Sequence, residues 1–554
     1  MSSSELPLLA AREDIFPTLS EAQIARLDSH GTRRRVTAGE VLIEQGDAAL
    51  PFFVILSGEL EAVRPTDLEK RIVTLKGRGQ FNGEINTLSG RRAMFRIQAA
   101  TDGELVELDR KTMMALVQTD AEIGELVMRA FILRRVAFVT AGIGDVVLVG
   151  SAHSADTWRL KEFLMRNGHP YAYMDLEGDV EVEQLMRGFH VAAHEIPVVI
   201  CRGKNVLRNP SNREVAECLG FNESIDRRHV RDVVVIGAGP SGLAAAVYGA
   251  SEGLDVLVIE TNAPGGQAGS TSRIENYLGF PAGVSGQELA GRAYTQAERF
   301  GAQVLIDRAL RLHCERHPYR VQLESGGEIR ARSIVIASGV QYRKPALENL
   351  EQFEGRGVYY GATFVESQLC AGDEVVIVGG GNSAGQAAVF LAATAKRVYL
   401  LVRSNGLAQS MSRYLSRRIE LTPNIELLTH TEVVELLGSD RLERVRWRNN
   451  QTGATEERNI PHVFLMTGAE PNSAWLDGCL TLDEKGFVKT GPELNADDLS
   501  AAGWKLARPP FLLETSLPAV FAVGDVRGGS VKRVASAVGE GSIAISFVHQ
   551  VLAH

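Results

Sequence analysis

Two glycine-rich turns, each closing an apolar run, are where this chain can hold phosphate. In the first, VVVI leads into Gly237, Gly239 and Gly242, and an alanine-rich stretch of helical spacing follows. Glycine at the first position permits a tight turn, and at the second it lets a pyrophosphate approach the backbone. At the third it lets helix and strand pack closely, with the phosphates at the helix N-terminus. Glu260 ends the next apolar run, where a carboxylate accepts hydrogen bonds from ribose hydroxyls. The second turn, EVVIVGGGNSAG, repeats the pattern with Gly379, Gly381 and Ala384. Its following run ends at Val402-Arg403-Ser404, with no acid. Arginine there suits a 2′-phosphate, whereas NAD sites usually carry a carboxylate; a solvated arginine at a strand end is the alternative.

These turns must be carried by α/β sequence, and everything after Val233 alternates apolar runs with helical spacing. Before it, residues 1–143 read as short glycine-punctuated strands (EVLIEQGD, PFFVILSGELEAV, RIVTLKGRGQF) followed by one helical stretch from Lys111 to Phe138. Gly142–Asp145 is a candidate linker. From Val146 to Asn222 the order is strand, helix, strand, helix, strand, a small α/β unit, and NESIDRRHVRD makes the second boundary. Length, 554 residues, gives a prior of about four domains. The net charge of −9 argues against a nucleic-acid partner, and no apolar run is long enough for a membrane span. No leader precedes the first region, so a cytoplasmic location is expected. The five cysteines stand far apart without a CxxC pair, which excludes a thiolate metal site and fits a reducing compartment.

Further stretches give residues 230–554 a family resemblance. PGGQAG (264–269), IENYLGFP (274–281), IASG (336–339), GAEPNS (468–473) and TSLPAVFAVGDV (515–526) make this region resemble the low-molecular-weight thioredoxin reductases. The resemblance implies two nested Rossmann-like domains: an FAD domain in two parts, 229–343 and 468–554, with an NAD(P)H domain, 344–467, inserted between them. It places Gly265, Gly266, Gln267, Asn276, Gly339, Gly524, Asp525, Lys532, Arg533 and Val534 at the FAD, Asp525 on the ribityl chain. It places Asn382 and Ser383 at the nicotinamide nucleotide's pyrophosphate. FAD and NADPH are the cofactors implied, with NADH the alternative coenzyme, and a homodimer is the implied assembly.

The departures matter as much. That family carries a CATC pair near the start of the inserted domain, where this chain has Gly361-Ala362-Thr363-Phe364. Gly361 and Phe364 thus occupy the usual redox cysteine positions, and no side-chain catalyst replaces them, leaving the chemistry to the flavin. Cys370 has no nearby sulfur and reads as structural. Residues 144–228 resemble a glutaredoxin-like thioredoxin fold in which Ser154-Ala155-Asp156-Thr157 replaces CxxC, so no dithiol chemistry is expected there. Ile196-Pro197 matches that fold's cis-proline turn, an ordinary trans proline being the other reading. Residues 1–143 resemble the cyclic-nucleotide-binding domain of catabolite-activator-like regulators. Gly83 and Glu84 match its ribose and backbone contacts, while Ala93 stands at its phosphate-binding arginine. One of Arg91, Arg92 and Arg96 must then meet the cyclic phosphate, or the domain is a β-roll kept for structure. The expected fold is multidomain: β-roll with helices, thioredoxin-like α/β domain, then the two nested domains. The expected activity is hydride transfer from NADPH to FAD and on to an unknown acceptor or protein partner, under a cyclic nucleotide effector. A flavin-binding sensor with little turnover is the alternative.

Overall fold

The computed structural model describes residues 13–64, 70–83, 85–151, 154–176, 195–202, 205–222, 225–271, 273–362, 367, 369–407 and 411–553. The N-terminal region is a β-roll of two antiparallel sheets. One holds Thr32–Val36, Gly103–Leu108 and Phe52–Ser57; the other holds Val41–Ile43, Arg96–Ala99, Glu59–Arg64 and Lys70–Lys76. Phe53, Ile55, Leu60, Val73, Leu75 and Leu105 close a core between them. The stretch expected as one helix is two: α1 (Arg110–Thr119) and α2 (Ala121–Thr140). Asp120 breaks it by taking an extended backbone and accepting the Ile123 N–H with its carboxylate, which caps α2.

The second unit has strands β1 (Val146–Gly150), β2 (Tyr171–Asp175), β3 (Val198–Cys201) and β4 (Asn205–Arg208) in the order β4-β3-β1-β2. Strands β1 and β2 are parallel, and the β3 pairings are antiparallel. Helices α3 (Ala155–Arg166) and α4 (Asn212–Leu219) belong to it. The Ser154–Thr157 stretch is the start of α3: the Ser154 hydroxyl accepts the Thr157 N–H and caps the helix. Ile196–Pro197 is cis. The helix expected between β2 and β3 lies outside the described residues.

Beyond it, β5 (Val230–Ile236), α5 (Pro240–Ser251), β6 (Val256–Glu260), α6 (Gly286–Arg299) and β7 (Glu328–Ile336) build a seven-stranded sheet. Its order is Gln303–Ile306, β6, β5, β7, Tyr319–Leu323, Ala309–His313, with Val520–Ala522 also on β7. Alternate residues of β5 enter different cores, Val233 and Val235 on one face and Val234 and Ile236 on the other. Such two-sided burial is why the second half of the strand, Val233–Ile236, reads as an unbroken apolar run. A five-stranded parallel sheet follows, with β8 (Glu374–Val378), α7 (Asn382–Leu391) and β9 (Arg397–Leu401). The chain passes between the two sheets through Val340–Tyr342 and Ala469–Pro471, which pair antiparallel. A last helix, α8 (Val534–Leu552), lies on α5, close enough that a Cβ on Gly541 would stand 2.2 Å from the Ser241 carbonyl oxygen. None of the described helices is long and apolar enough to cross a membrane.

Candidate functional site

The first turn is assembled by exclusion of side chains. Gly237 has φ +103°, and a Cβ there would sit 2.4 Å from the Ala337 carbonyl oxygen. At Gly242 it would sit 1.9 Å from the Gly237 carbonyl oxygen. Gly239 differs: a Cβ there meets nothing within 4 Å, so the space over the turn is open. No side chain caps α5, and its first amides face that space with the positive end of the helix. Glu260 is buried beneath; its carboxylate accepts the Ala238 N–H at 2.7 Å and the Asn262 N–H at 3.0 Å. Two amides do not exhaust a carboxylate, so oxygen lone pairs remain for hydroxyl donors.

The 264–269 loop folds against this turn. Gly265, φ +107°, donates its N–H to the Ala238 carbonyl, and a Cβ on Gly266 would stand 3.0 Å from the Gly239 Cα. Gln267 donates to the Val340 carbonyl at 2.6 Å. Gly339 accepts the Asn472 N–H, tying IASG to GAEPNS. Gly524, φ +72°, donates to the Glu540 carboxylate at 2.6 Å. Burial pushes the half-buried Asp525 carboxyl up, with Lys532 pulling it back. Lys532 donates to the Asp525 main-chain oxygen at 3.3 Å, and Arg533, exposed, precedes Val534 at the start of α8. Asn276 is exposed, next but one to Ile274, which bridges Val284.

The second turn has the same build. Gly379, φ +145°, would place a Cβ 2.4 Å from the Met466 carbonyl oxygen, whereas Gly381 opens on empty space. Ala384 is fully buried at the close contact, and Asn382 and Ser383 stand exposed at the uncapped start of α7. Asn382 accepts the Ser412 N–H at 2.8 Å, which brings Arg413, the next residue, to this turn. Arg403 is exposed just past β9. Arg418 bonds Glu275 at 2.7 Å, linking the two glycine-turn units. Gly361 and Ala362 lie just after Val358–Tyr359, an edge strand of the five-stranded sheet; Thr363 and Phe364 lie outside the described residues. Cys370 is fully buried among Val375, Ala384 and Ala388 and donates to the Ser367 carbonyl.

Two cysteine expectations are corrected. Cys314 and Cys479, 165 residues apart, form a disulfide, so the cysteines are not all free thiols. Cys201, at the end of β3, and Cys218, on α4, share one core, and their thiols hydrogen-bond to each other. The thioredoxin-like unit therefore holds a thiol pair, displaced from the stretch where CxxC is usual. That hydrogen bond and the Arg202 guanidinium hold Cys218 down, while the same bond and burial push Cys201 up. Spacing rules find local pairs only, and neither of these pairs is local.

The arginine assignments in the β-roll are also corrected. Arg91 is buried against the other units: it donates to the Asn167 carbonyl and at 2.5 Å to the Tyr294 hydroxyl, with its guanidinium 4.1 Å over the Phe221 ring. Arg92 donates to the Gly46 carbonyl and lies along Gly220. Neither lines the β-roll cavity, which Gly83 and Ala93 do; Glu84 lies outside the described residues. The residue sequence reasoning missed is Arg134 of α2, fully buried at that cavity. A paired arginine inside the apolar run AFILRRVAF was the available signal. Arg166 was missed too: it reaches from α3 to the Ala263 and Gly266 carbonyls, the latter in the 264–269 loop.

Comparison with known proteins agrees with this build. A family model for the cyclic nucleotide-binding domain matches residues 33–120. Thioredoxin reductase of Mycoplasmopsis pulmonis is 31% identical over 322 residues, 58% of this chain and 97% of that protein. NADPH-dependent thioredoxin reductase 3 of Arabidopsis thaliana is 33% identical over 359 residues, 62% of this chain and 64% of that one. The crystal structure of Lactococcus lactis thioredoxin reductase superposes with a TM-score of 0.52 at 27% identity, over 58% of this chain and 99% of that one. The pyridine nucleotide-disulphide oxidoreductase model matches residues 231–541, more than half of the chain and both glycine turns, so the chain belongs to that family.

Proposed function

We propose that the protein is an NADPH-dependent FAD oxidoreductase whose electrons leave by a route other than a dithiol at residues 361–364. The observation that carries the reading is the pair of open cradles over Gly239 and Gly381, each at an uncapped helix start beside a glycine that no side chain could replace. A flavin held there would supply the redox chemistry, taking hydride from a nicotinamide and giving electrons to the acceptor. The chain's share is binding and orientation. The first amides of α5 face one pyrophosphate and those of α7, with Asn382 and Ser383, face the other. Glu260 holds the first turn in shape and offers lone pairs to a ribose. Gly265, Gly266, Gln267, Asn276, Gly339, Gly524, Asp525, Lys532, Arg533 and Val534 frame the flavin side. Arg403, with Arg413 brought alongside by the Asn382–Ser412 bond, meets the 2′-phosphate. The domain limits that go with this reading are 343/344 and 467/468 for the inserted unit, 143 for the β-roll and 228 for the thioredoxin-like unit.

The test is steady-state NADPH oxidation by the purified chain against oxygen, a quinone, ferricyanide, an aromatic disulfide and thioredoxin. Turnover with a non-disulfide acceptor and none with the two disulfides is expected, because neither 361–364 nor 154–157 carries sulfur. Disulfide turnover as fast as quinone turnover overturns the proposal, and a Cys218→Ser variant then tells whether the Cys201–Cys218 pair carries it. Negligible turnover with every acceptor favours a sensor.

A further inference from the structure

Cys201 and Cys218 belong to neither glycine turn. Cys201 ends β3 and pairs there with Val146, the first residue of β1. Ser154–Thr157 lies beyond Gly150, at the far end of β1, roughly 13 Å along the strand. The thiol pair is therefore a separate site from the stretch where CxxC is usual.

Cys201 is fully enclosed among Val146, Leu148, Phe163 and Leu219, whereas Cys218 is half-buried. Their thiols hydrogen-bond to each other, so the two sulfurs are in mutual reach. A cation is fixed beside them. Arg202 takes φ +53°, a conformation that favours glycine, and the Asp145 carbonyl holds it there by accepting its N–H at 2.6 Å. The Arg202 Nε lies 3.4 Å from the Asp145 carboxylate, and the guanidinium donates to the Leu219 carbonyl, next to Cys218, at 3.2 Å. His169 meets the other Asp145 oxygen at 2.8 Å. Gly46 of the β-roll closes over the arginine, where a Cβ would stand 3.3 Å from the Arg202 Cδ. Accepting from Cys201 holds Cys218 below the usual thiol range against the opposing pull of burial, and Arg202 adds to this. The more accessible sulfur is thus the one that carries thiolate, the reactive form.

We propose that Cys201 and Cys218 form a peroxide-reactive thiol site that closes to a reversible disulfide. The Cys218 thiolate attacks one oxygen of a hydroperoxide; the O–O bond breaks, and the leaving oxygen takes a proton to become water or an alcohol. Sulfur gives up two electrons and keeps the attacked oxygen as a sulfenic acid. Cys201 then attacks that sulfur, the S–O bond breaks, and the hydroxyl leaves with the Cys201 proton as water. Enclosure selects the oxidant, because a small hydroperoxide reaches a half-buried sulfur that the disulfide of a folded protein does not. The site stands whether or not the flavin reading holds.

Titration of the full chain with hydrogen peroxide tests this, followed by alkylation under denaturing conditions and peptide mass mapping. The expected result is joint loss of two of the three free thiols, with a peptide linking Cys201 to Cys218 and Cys370 still alkylated. Dithiothreitol should restore both. In Cys201→Ser a sulfenic acid trapped by dimedone should accumulate at Cys218, and in Cys218→Ser position 201 should stay alkylatable. Should both variants misfold, the mapping of the parent decides alone. Survival of both thiols in excess peroxide overturns the proposal. So does an oxidised Cys218 that never links to Cys201, or a linkage formed with oxidised thioredoxin and not with peroxide.

Discussion

Gly239 and Gly242 are three residues apart in one motif, yet substitution should damage the protein in opposite ways. Gly239 has φ −69° and ψ −178°, a conformation open to any residue, and a Cβ there touches nothing. Gly239→Val should change apoprotein stability by no more than about 0.5 kcal/mol, the usual scale for a substitution that meets no neighbour. The valine does fill the cradle, so FAD binding should be lost. A ligand at about a thousand times its dissociation constant adds about 4.1 kcal/mol to the folded state. At about 2–4 °C per kcal/mol for a domain of 150–250 residues, that loss lowers the flavin-linked transition by roughly 8–16 °C. Gly242→Ala instead drives a methyl to 1.9 Å from a main-chain oxygen, and the backbone must move even without flavin. The assay is flavin content by absorbance, with thermal unfolding of each variant and of parent protein stripped of FAD. Gly239→Val should melt with the stripped parent and Gly242→Ala clearly below it. Stoichiometric FAD in Gly239→Val would refute the reasoning, as would a melting point far under that of the stripped parent.

Coenzyme choice is the next expectation. A guanidinium–phosphate contact contributes about 1.5–3 kcal/mol, so flavin reduction should prefer NADPH over NADH by roughly ten- to a hundredfold, and Arg403→Ala should remove most of that. Equal reduction by both coenzymes in the parent protein would contradict it. The thiol pair predicts a pH dependence. Cys218 is held below the usual thiol range by its hydrogen bond to Cys201 and by Arg202. The thiolate is the reactive form, so alkylation by iodoacetamide should rise with pH through a midpoint below the roughly 8.5 of a free cysteine. Cys201→Ala should move the midpoint up, and a parent midpoint at or above 8.5 would dismiss the pairing.

What could be read from sequence was what local spacing encodes. Strand, GxGxxG, helix and Glu260 lie within one short stretch, and each glycine has one steric reason to be there. Asp120 could have been read as a cap, but the apolar spacing runs through it and hides the break. Arg91 and Arg92 were misplaced because sequence counts how near a residue stands to a site but not which way it faces. At Arg91 the partners, Asn167 and Tyr294, come from units far along the chain. The two cysteine pairs escaped for the same reason: Cys201 meets Cys218 only once α4 lies on β3, and Cys314 meets Cys479 only after the inserted sheet has been completed.

The Cys314–Cys479 bond turns that last point into a matter of covalent topology. The loop it closes spans 165 residues and contains the whole five-stranded sheet. The five-stranded sheet is thus part of a covalent ring whose clasp lies beside the seven-stranded sheet. Closing a ring of that length removes about 5 kcal/mol of chain entropy from the unfolded state in the loop-entropy account. A protease cut anywhere inside the ring leaves a single molecule, and the two fragments separate on a gel only after a reductant opens the clasp.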